Sequence, residues 1–174
     1  MKRKLYVYII PFLCLACSEI EARRPKQHST TSFYKEVIEE NKKLNKVEQK
    51  KIELLLAKDT LTNYLVSSSG FWYAYKSKDT LNTRYPAKGD IVNISYNISD
   101  VQGNLIYEEI TRDYTVDKED LIPALQEGIK LMKKGETITF VIPSYRAYGV
   151  VGDGNKIGIN KTLKSTLTLI DIKN

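Results

Sequence analysis

The chain has 174 residues, with 27 Lys or Arg against 21 Asp or Glu and a formal charge of +6. One histidine, His28, and two cysteines, Cys14 and Cys17, leave no basis for a zinc site or a Ser-His-Asp triad. Basic residues alternate with acidic ones and form no long stripe, which gives nucleic-acid binding no support.

Met1-Lys-Arg-Lys4 is a positive opening, and Leu5 to Ala16 is an apolar run interrupted only by Pro11. The run is too short to span a bilayer, which takes about 20 apolar residues, and it fits a secretory signal over residues 1–16. The segment Cys14-Leu-Ala-Cys17-Ser18 resembles a bacterial lipobox. That resemblance implies cleavage before Cys17, lipidation of Cys17 and a membrane anchor. The alternatives are an uncleaved N-terminal anchor or a signal peptide without lipidation. Cleavage would remove Lys2, Arg3 and Lys4, leaving 24 basic against 21 acidic side chains, a net of +3.

Residues 17–31 are polar and aperiodic, which predicts a flexible tether. Residues 32–66 turn helical. Tyr34, Val37, Ile38 and Leu44 recur at roughly helical spacing. A second helical segment is expected to open at Asn45, with Glu48 three residues on completing a capping box. Ile52, Leu55 and Leu56 then form an apolar stripe. A stripe over residues 32–58 predicts packing on the chain's own domain or self-association, with a client-binding helix as the other reading.

After Ser67-Ser-Ser-Gly70 the texture becomes β, and residues 67–174 read as one domain. Phe71 to Tyr75 is aromatic. Asp90 to Ser99 sets Val92, Ile94, Tyr96 and Ile98 against Ile91, Asn93 and Ser95, the alternation of a half-buried strand. A turn at Gln102-Gly-Asn104 precedes Leu105-Ile-Tyr107, and Tyr114-Thr-Val116 is a further short strand candidate. Residues 136–142 and 162–172 are strongly β in propensity. Among them lies one helix, opened by Pro123, carrying Leu125, Ile129 and Met132 on one face and stopped near Gly135. The pattern predicts an α+β fold, a mostly antiparallel sheet covering one short helix.

Five stretches in order then become specific: Lys88-Gly-Asp90 through Tyr96; Gly103 through Tyr107-Glu108; Leu121-Ile-Pro-Ala-Leu-Gln-Glu-Gly-Ile129 with Lys134-Gly-Glu136; Phe140-Val-Ile-Pro143 with Ala147-Tyr-Gly149; and Ile157 with Asn160-Lys-Thr-Leu163. From about Gly70 onward they resemble the FKBP-type peptidyl-prolyl isomerases. With the helical prelude and the lipobox, the chain is most similar to the gliding-motility-associated FKBP-type lipoproteins of Bacteroidetes. The resemblance implies an FKBP-like twisted antiparallel sheet wrapped around the helix, and an activity that rotates X–Pro bonds with no metal or cofactor.

The chemistry is consistent with that. The barrier to rotation, about 18–20 kcal/mol, comes from the double-bond character of the C–N bond. An apolar pocket disfavours the charge-separated resonance form, and fixed hydrogen bonds can favour the twisted state. By resemblance, Tyr96 and Tyr107 are pocket walls, Ile122 offers a backbone N–H, and Tyr148 donates to the carbonyl before proline. Glu108 stands where the family usually has Asp. Leu121, Leu125, Ile157 and Ser165 line the substrate site. Leu125 replaces the family's floor tryptophan, Ser165 a phenylalanine, and Arg112 or Asp113 falls near another aromatic wall. A wider, wetter pocket is expected.

The implied partners are proline-containing unfolded or envelope proteins and a membrane reached through Cys17, in the cell envelope on the periplasmic side of the outer membrane. A non-catalytic chaperone or assembly lipoprotein on the same fold is the competing reading. A purely structural lipoprotein assembled through residues 32–58 is the third.

Overall fold

The computed structural model describes residues 30–173, with side chains from Ser32. The expected signal segment, Cys17 and His28 lie outside the described residues. The chain divides into two compact units, Met1–Ile38 and Glu39–Asn174. The described part of the first is helical, and Phe33, Tyr34 and Ile38 on it are exposed.

One helix, α1, runs Thr30–Leu56. It starts two residues inside the expected tether, and the break expected at Asn45 does not occur. Straight-chain Glu, Lys and Leu residues on both sides of Asn45 favour propagation of the helix. Glu48 does not fold back to cap Asn45, because its carboxylate is taken by Ser144 and Thr162. One turn further on, Ile52 is buried against Trp72 and Val141, with Leu56 and Tyr64 packed beside them. This half of the helix therefore packs on the chain's own sheet, while Leu44, Val47 and Leu54 stay exposed.

The sheet has six strands: β1 (Leu65–Val66), β2 (Trp72–Ser77), β3 (Ile91–Ser99), β4 (Leu105–Thr115), β5 (Thr137–Ile142) and β6 (Leu163–Lys173). Their order is β1-β2-β5-β6-β3-β4, and every pairing is antiparallel. The two short segments expected around Tyr107 and Tyr114 are one continuous strand, β4, because Ile91 to Tyr96 of β3 supply partners along the Ile110–Thr115 stretch between them. β6, the last strand in sequence, lies between β5 and β3.

One face of the sheet is buried on a short helix, α2 (Pro123–Ile129). Across β5 and β6 the inward pairs are Ile138 with Leu167, Phe140 with Ser165, and Ile142 with Leu163. Small Ser165 thus faces large Phe140, whose ring meets Phe71 edge-on at 5.8 Å. Pro123 opens α2 at a position where its missing N–H costs nothing. Leu125, Gly128 and Ile129 then face the sheet. A Cβ on Gly128 would lie 2.4 Å from Cε1 of Phe140, so only glycine lets helix and strand approach this closely.

Beyond α2 the chain turns through Gly135, at φ +86°, whose N–H reaches Leu169 O at 2.7 Å. Glu136 follows at 1% exposure. Its carboxylate accepts the N–H groups of Lys133 (2.8 Å) and Asp79 (3.0 Å), which satisfies a charge that would otherwise be costly to bury. Gly128→Ala gains helix propensity but must displace Phe140. The expected net is a loss of about 1–3 kcal/mol, the usual cost of overpacking, read as a lower urea midpoint at unchanged slope.

Candidate functional site

The inner face of β3 carries Val92, Ile94, Tyr96 and Ile98. The first two and the last are buried, and Tyr96 is half exposed at the open end of the core. Its register breaks between Tyr96 and Ile98, so Asn97 is left out of the ladder. Asn97 is tied down nonetheless, its carbonyl accepting the Ser165 hydroxyl (2.6 Å) and its side-chain oxygen accepting Thr166 N–H (3.0 Å). Ser165 is thereby a buried strut between β6 and the bulge of β3.

Tyr96, Tyr107, Tyr148, Leu121 and Ala147 are half-buried and pack against the main core, which includes Ile122, Leu125 and Ile157. Of the residues singled out by sequence, Tyr96, Tyr107, Leu121, Ile122, Leu125, Tyr148 and Ile157 thus belong to one apolar cluster. Leu125 is fully buried within it, and Ile122 and Ile157 are nearly so. Glu108, next to Tyr107 on β4, is exposed. No described contact joins it to the tyrosines. Arg112 and Asp113 are spent in surface ion pairs at 2.7 Å, with Glu119 and Lys173 respectively. The aromatic residue of that stretch is Tyr114, which pairs with buried Val92 across the ladder and lies wholly in the core.

The carboxylate that does reach the cluster is Asp153, in the long loop between β5 and β6. Tyr107 donates its hydroxyl to Asp153 Oδ2. Asp153 Oδ1 accepts the N–H groups of Asn155 and Ile157, both at 2.8 Å. The Asp153 N–H returns to Ile157 O at 3.0 Å. Gly152 precedes it at φ +75°, and a Cβ there would lie 2.5 Å from Ile157 O. The run Gly152-Asp-Gly-Asn155 is turn chemistry of the kind that Asx hydrogen bonds produce, and it was the one signal by which sequence could have found Asp153.

The electrostatics follow from this geometry. The Tyr107 hydroxyl bond, joined by the backbone N–H groups of Asn155 and Ile157, holds the Asp153 carboxyl below the usual carboxylate range. The same bond, with burial, pushes the Tyr107 phenol up. Lys156 sits over the Tyr107 ring, Nζ 5.3 Å from the centroid. Burial, then the charge of Asp153 and the neighbouring Tyr96 and Tyr107, raises the Tyr148 phenol, so it is a protonated donor throughout the neutral range.

Two donors at the cluster have no acceptor among the described residues. The Tyr148 hydroxyl is one. The other is the Ile122 N–H, at the N-terminal edge of α2, whose own carbonyl accepts Leu125 N–H (2.8 Å) and Gln126 N–H (3.0 Å). Half-buried tyrosines on an apolar core, with two unpaired donors, suit a ligand that is apolar in the middle and carries carbonyl oxygens on both sides. A prolyl peptide has that character. Nothing in the cluster is arranged as a nucleophile with its base.

The sequence was compared with known proteins. The sequence model of the family described as FKBP-type peptidyl-prolyl cis-trans isomerase matches residues 82–170. A probable FKBP-type peptidyl-prolyl cis-trans isomerase FkpA of Neisseria meningitidis serogroup B is 31% identical over 78% of this chain and 50% of its own length. FkpA of Buchnera aphidicola subsp. Baizongia pistaciae is 32% identical over 62% of this chain and 42% of its own. The chain therefore spans about half the length of the curated relatives it matches, or less. Among solved structures, FkpA from Escherichia coli superimposes with a TM-score of 0.60 at 22% identity, over 99% of this chain and 73% of that one. A peptidyl-prolyl cis-trans isomerase from Pseudomonas syringae pv. tomato gives 0.60 at 18% identity, over 74% of this chain and 96% of that one. Those two likenesses speak for the fold. With the family match covering half the chain and the ordered motifs lying where the fold needs them, the chain belongs to the FKBP-type peptidyl-prolyl cis-trans isomerase family.

Proposed function

We propose that this chain is a peptidyl-prolyl cis-trans isomerase acting on proline-containing segments of unfolded or envelope proteins. The observation that carries the reading is the pair of unpaired donors, Ile122 N–H and Tyr148 O–H, on one apolar cluster. A proline ring seated among half-buried Tyr96, Tyr107 and Tyr148 leaves water behind, which weakens the charge-separated form of the peptide bond. Tyr148 bonds the carbonyl before proline and Ile122 a carbonyl beyond it, so the chain is gripped on both sides of the rotating bond. Stabilising the twisted state over both planar ones lowers the barrier without covalent chemistry.

Tyr107 and Asp153 act together in this reading. With its hydroxyl committed to Asp153, Tyr107 serves as a wall, and Asp153 fixes the loop that carries Ile157. Glu108 has no part in it. The chaperone reading draws on Leu125 and Ser165, which withhold aromatic area from the pocket; it takes over if a folded sample does not accelerate isomerisation. We further place the chain among envelope lipoproteins of the gliding-associated type, tethered through Cys17 at the outer membrane. The support is the lipobox-like Cys14-Leu-Ala-Cys17.

Tyr148→Phe is expected to cut kcat/KM for a short proline peptide about threefold to tenfold, the worth of one hydrogen bond, with the thermal midpoint unchanged. A folded Tyr148→Phe with full activity would remove Tyr148 from the mechanism. For Asp153 the folded value is the lower one, so its contribution is complete above the ordinary carboxylate value near 3.8 and is lost as pH falls through the folded value. Activity should accordingly show no Asp153-dependent limb between pH 5 and 8. Asp153→Ala should lower kcat/KM across that range by roughly threefold to tenfold through loop misplacement. Labelled palmitate should enter the full chain expressed in a bacterial host that processes lipoproteins, and Cys17→Ser should abolish the label; equal labelling of both would sink the anchor.

A further inference from the structure

We propose, on the basis of the isomerase reading, that Glu48 of α1 is a positioning residue for the prolyl site, holding both ends of the loop that carries Tyr148, Asp153 and Ile157. Its Oε1 accepts the Ser144 N–H (2.7 Å) and the Thr162 hydroxyl (2.6 Å), and its Oε2 accepts the Ser144 hydroxyl (2.7 Å). Ser144 begins the loop and Thr162 ends it, immediately before β6. One carboxylate on a helix outside the catalytic cluster therefore closes the loop at its base.

From Ser144 the connection runs directly to Tyr148. The Ser144 carbonyl accepts the N–H groups of Ala147 (2.9 Å) and Gly149 (2.8 Å), the two residues that flank Tyr148. Every main-chain and side-chain polar group of Ser144 is thus engaged, its donors by Glu48 and its acceptor by the neighbours of Tyr148. The Gly149 carbonyl then accepts the Asn160 N–H (2.8 Å), two residues before Thr162, which returns the chain to Glu48. Gly152 N–H to Tyr148 O, at 3.2 Å, hangs the Asp153 turn from the same ring.

A second contact keeps α1 and the loop in register. Gln49 Nε2 donates to the Tyr145 hydroxyl (2.7 Å), which donates in turn to Gly70 O (3.1 Å). Consecutive helix residues thus hold consecutive loop residues. Ile52, four residues after Glu48 and so on the same helix face, is locked between Trp72 and Val141. Glu48 is anchored from below before it reaches upward. Its bonds are to an acceptor that carries charge, which are the stronger kind, and closing a long loop at its base limits the freedom of everything within it.

The test uses the full chain, with kcat/KM on a short proline peptide measured for wild type, Glu48→Ala, Tyr148→Phe and the double variant. If Glu48 acts through Tyr148, Glu48→Ala lowers kcat/KM by about tenfold or more, as a displaced catalytic group does. Tyr148→Phe then costs less in the Glu48→Ala background than in wild type, the non-additivity expected of coupled residues. Hydrogen exchange quickens at the Gly149 and Asn160 amides and not in central β5 and β6. Glu48→Gln restores most of the activity, because its amide oxygen can keep the Ser144 N–H and Thr162 contacts while its NH2 group donates to the Ser144 hydroxyl oxygen. If Glu48→Ala does not fold, Thr162→Val removes one arm and should show the same pattern at smaller size. An active wild type with a folded Glu48→Ala of equal activity, or penalties that simply add, overturns the proposal alone. A folded wild type that catalyses nothing overturns the isomerase reading and the proposal with it.

Discussion

The rest of the structure depends on the contact between α2 and the middle of the sheet, where Gly128 meets Cε1 and Cζ of the Phe140 ring with no room for a methyl group. That approach sets the distance between helix and strand. Leu125 and Ile129 are buried beside it, and Ile122, at the N-terminal edge of the helix, is buried with them. The unpaired N–H of Ile122 is therefore held in place by packing. Ser165 belongs to the same arrangement. A smaller residue opposite Phe140 leaves that ring its space, and the hydroxyl donates to the Asn97 carbonyl in the β3 bulge.

Most of this fold was readable from periodicity. The alternation Val92, Ile94, Tyr96, Ile98 identified β3 and its inner face, and Pro123 with Leu125 and Ile129 identified α2, because burial on one side leaves a period in the sequence. What was not readable came from partners distant in sequence. Asn45 and Glu48 have the form of a helix cap, and only the presence of Ser144 and Thr162 directs Glu48 elsewhere. β4 looked like two fragments because most of it is exposed and polar, so its continuity rests on a ladder with β3 that no local pattern records.

The site divides along the same line. Tyr96, Ile122, Leu125 and Ile157 were named from ordered motifs, and all four lie in or against the main core. The carboxylate was not. Glu108 stands at the position the family motif suggests, yet it faces solvent, while Asp153 enters from a loop whose conformation depends on Gly152 and on hydrogen bonds to its own backbone. A surface strand offers a carboxylate no reason to turn inward. A turn that encloses its own acceptor does.

The place of β6 has a consequence for how the sheet can come apart. β6 is the last strand in sequence and joins the β1-β2-β5 half of the sheet to the β3-β4 half. Without those 11 residues the two halves have no common edge and the inner face of β5 has no neighbour on that side. A cut or a substitution that unseats β6 therefore opens the sheet at its centre, whereas the loss of β1 or β4 removes only an edge.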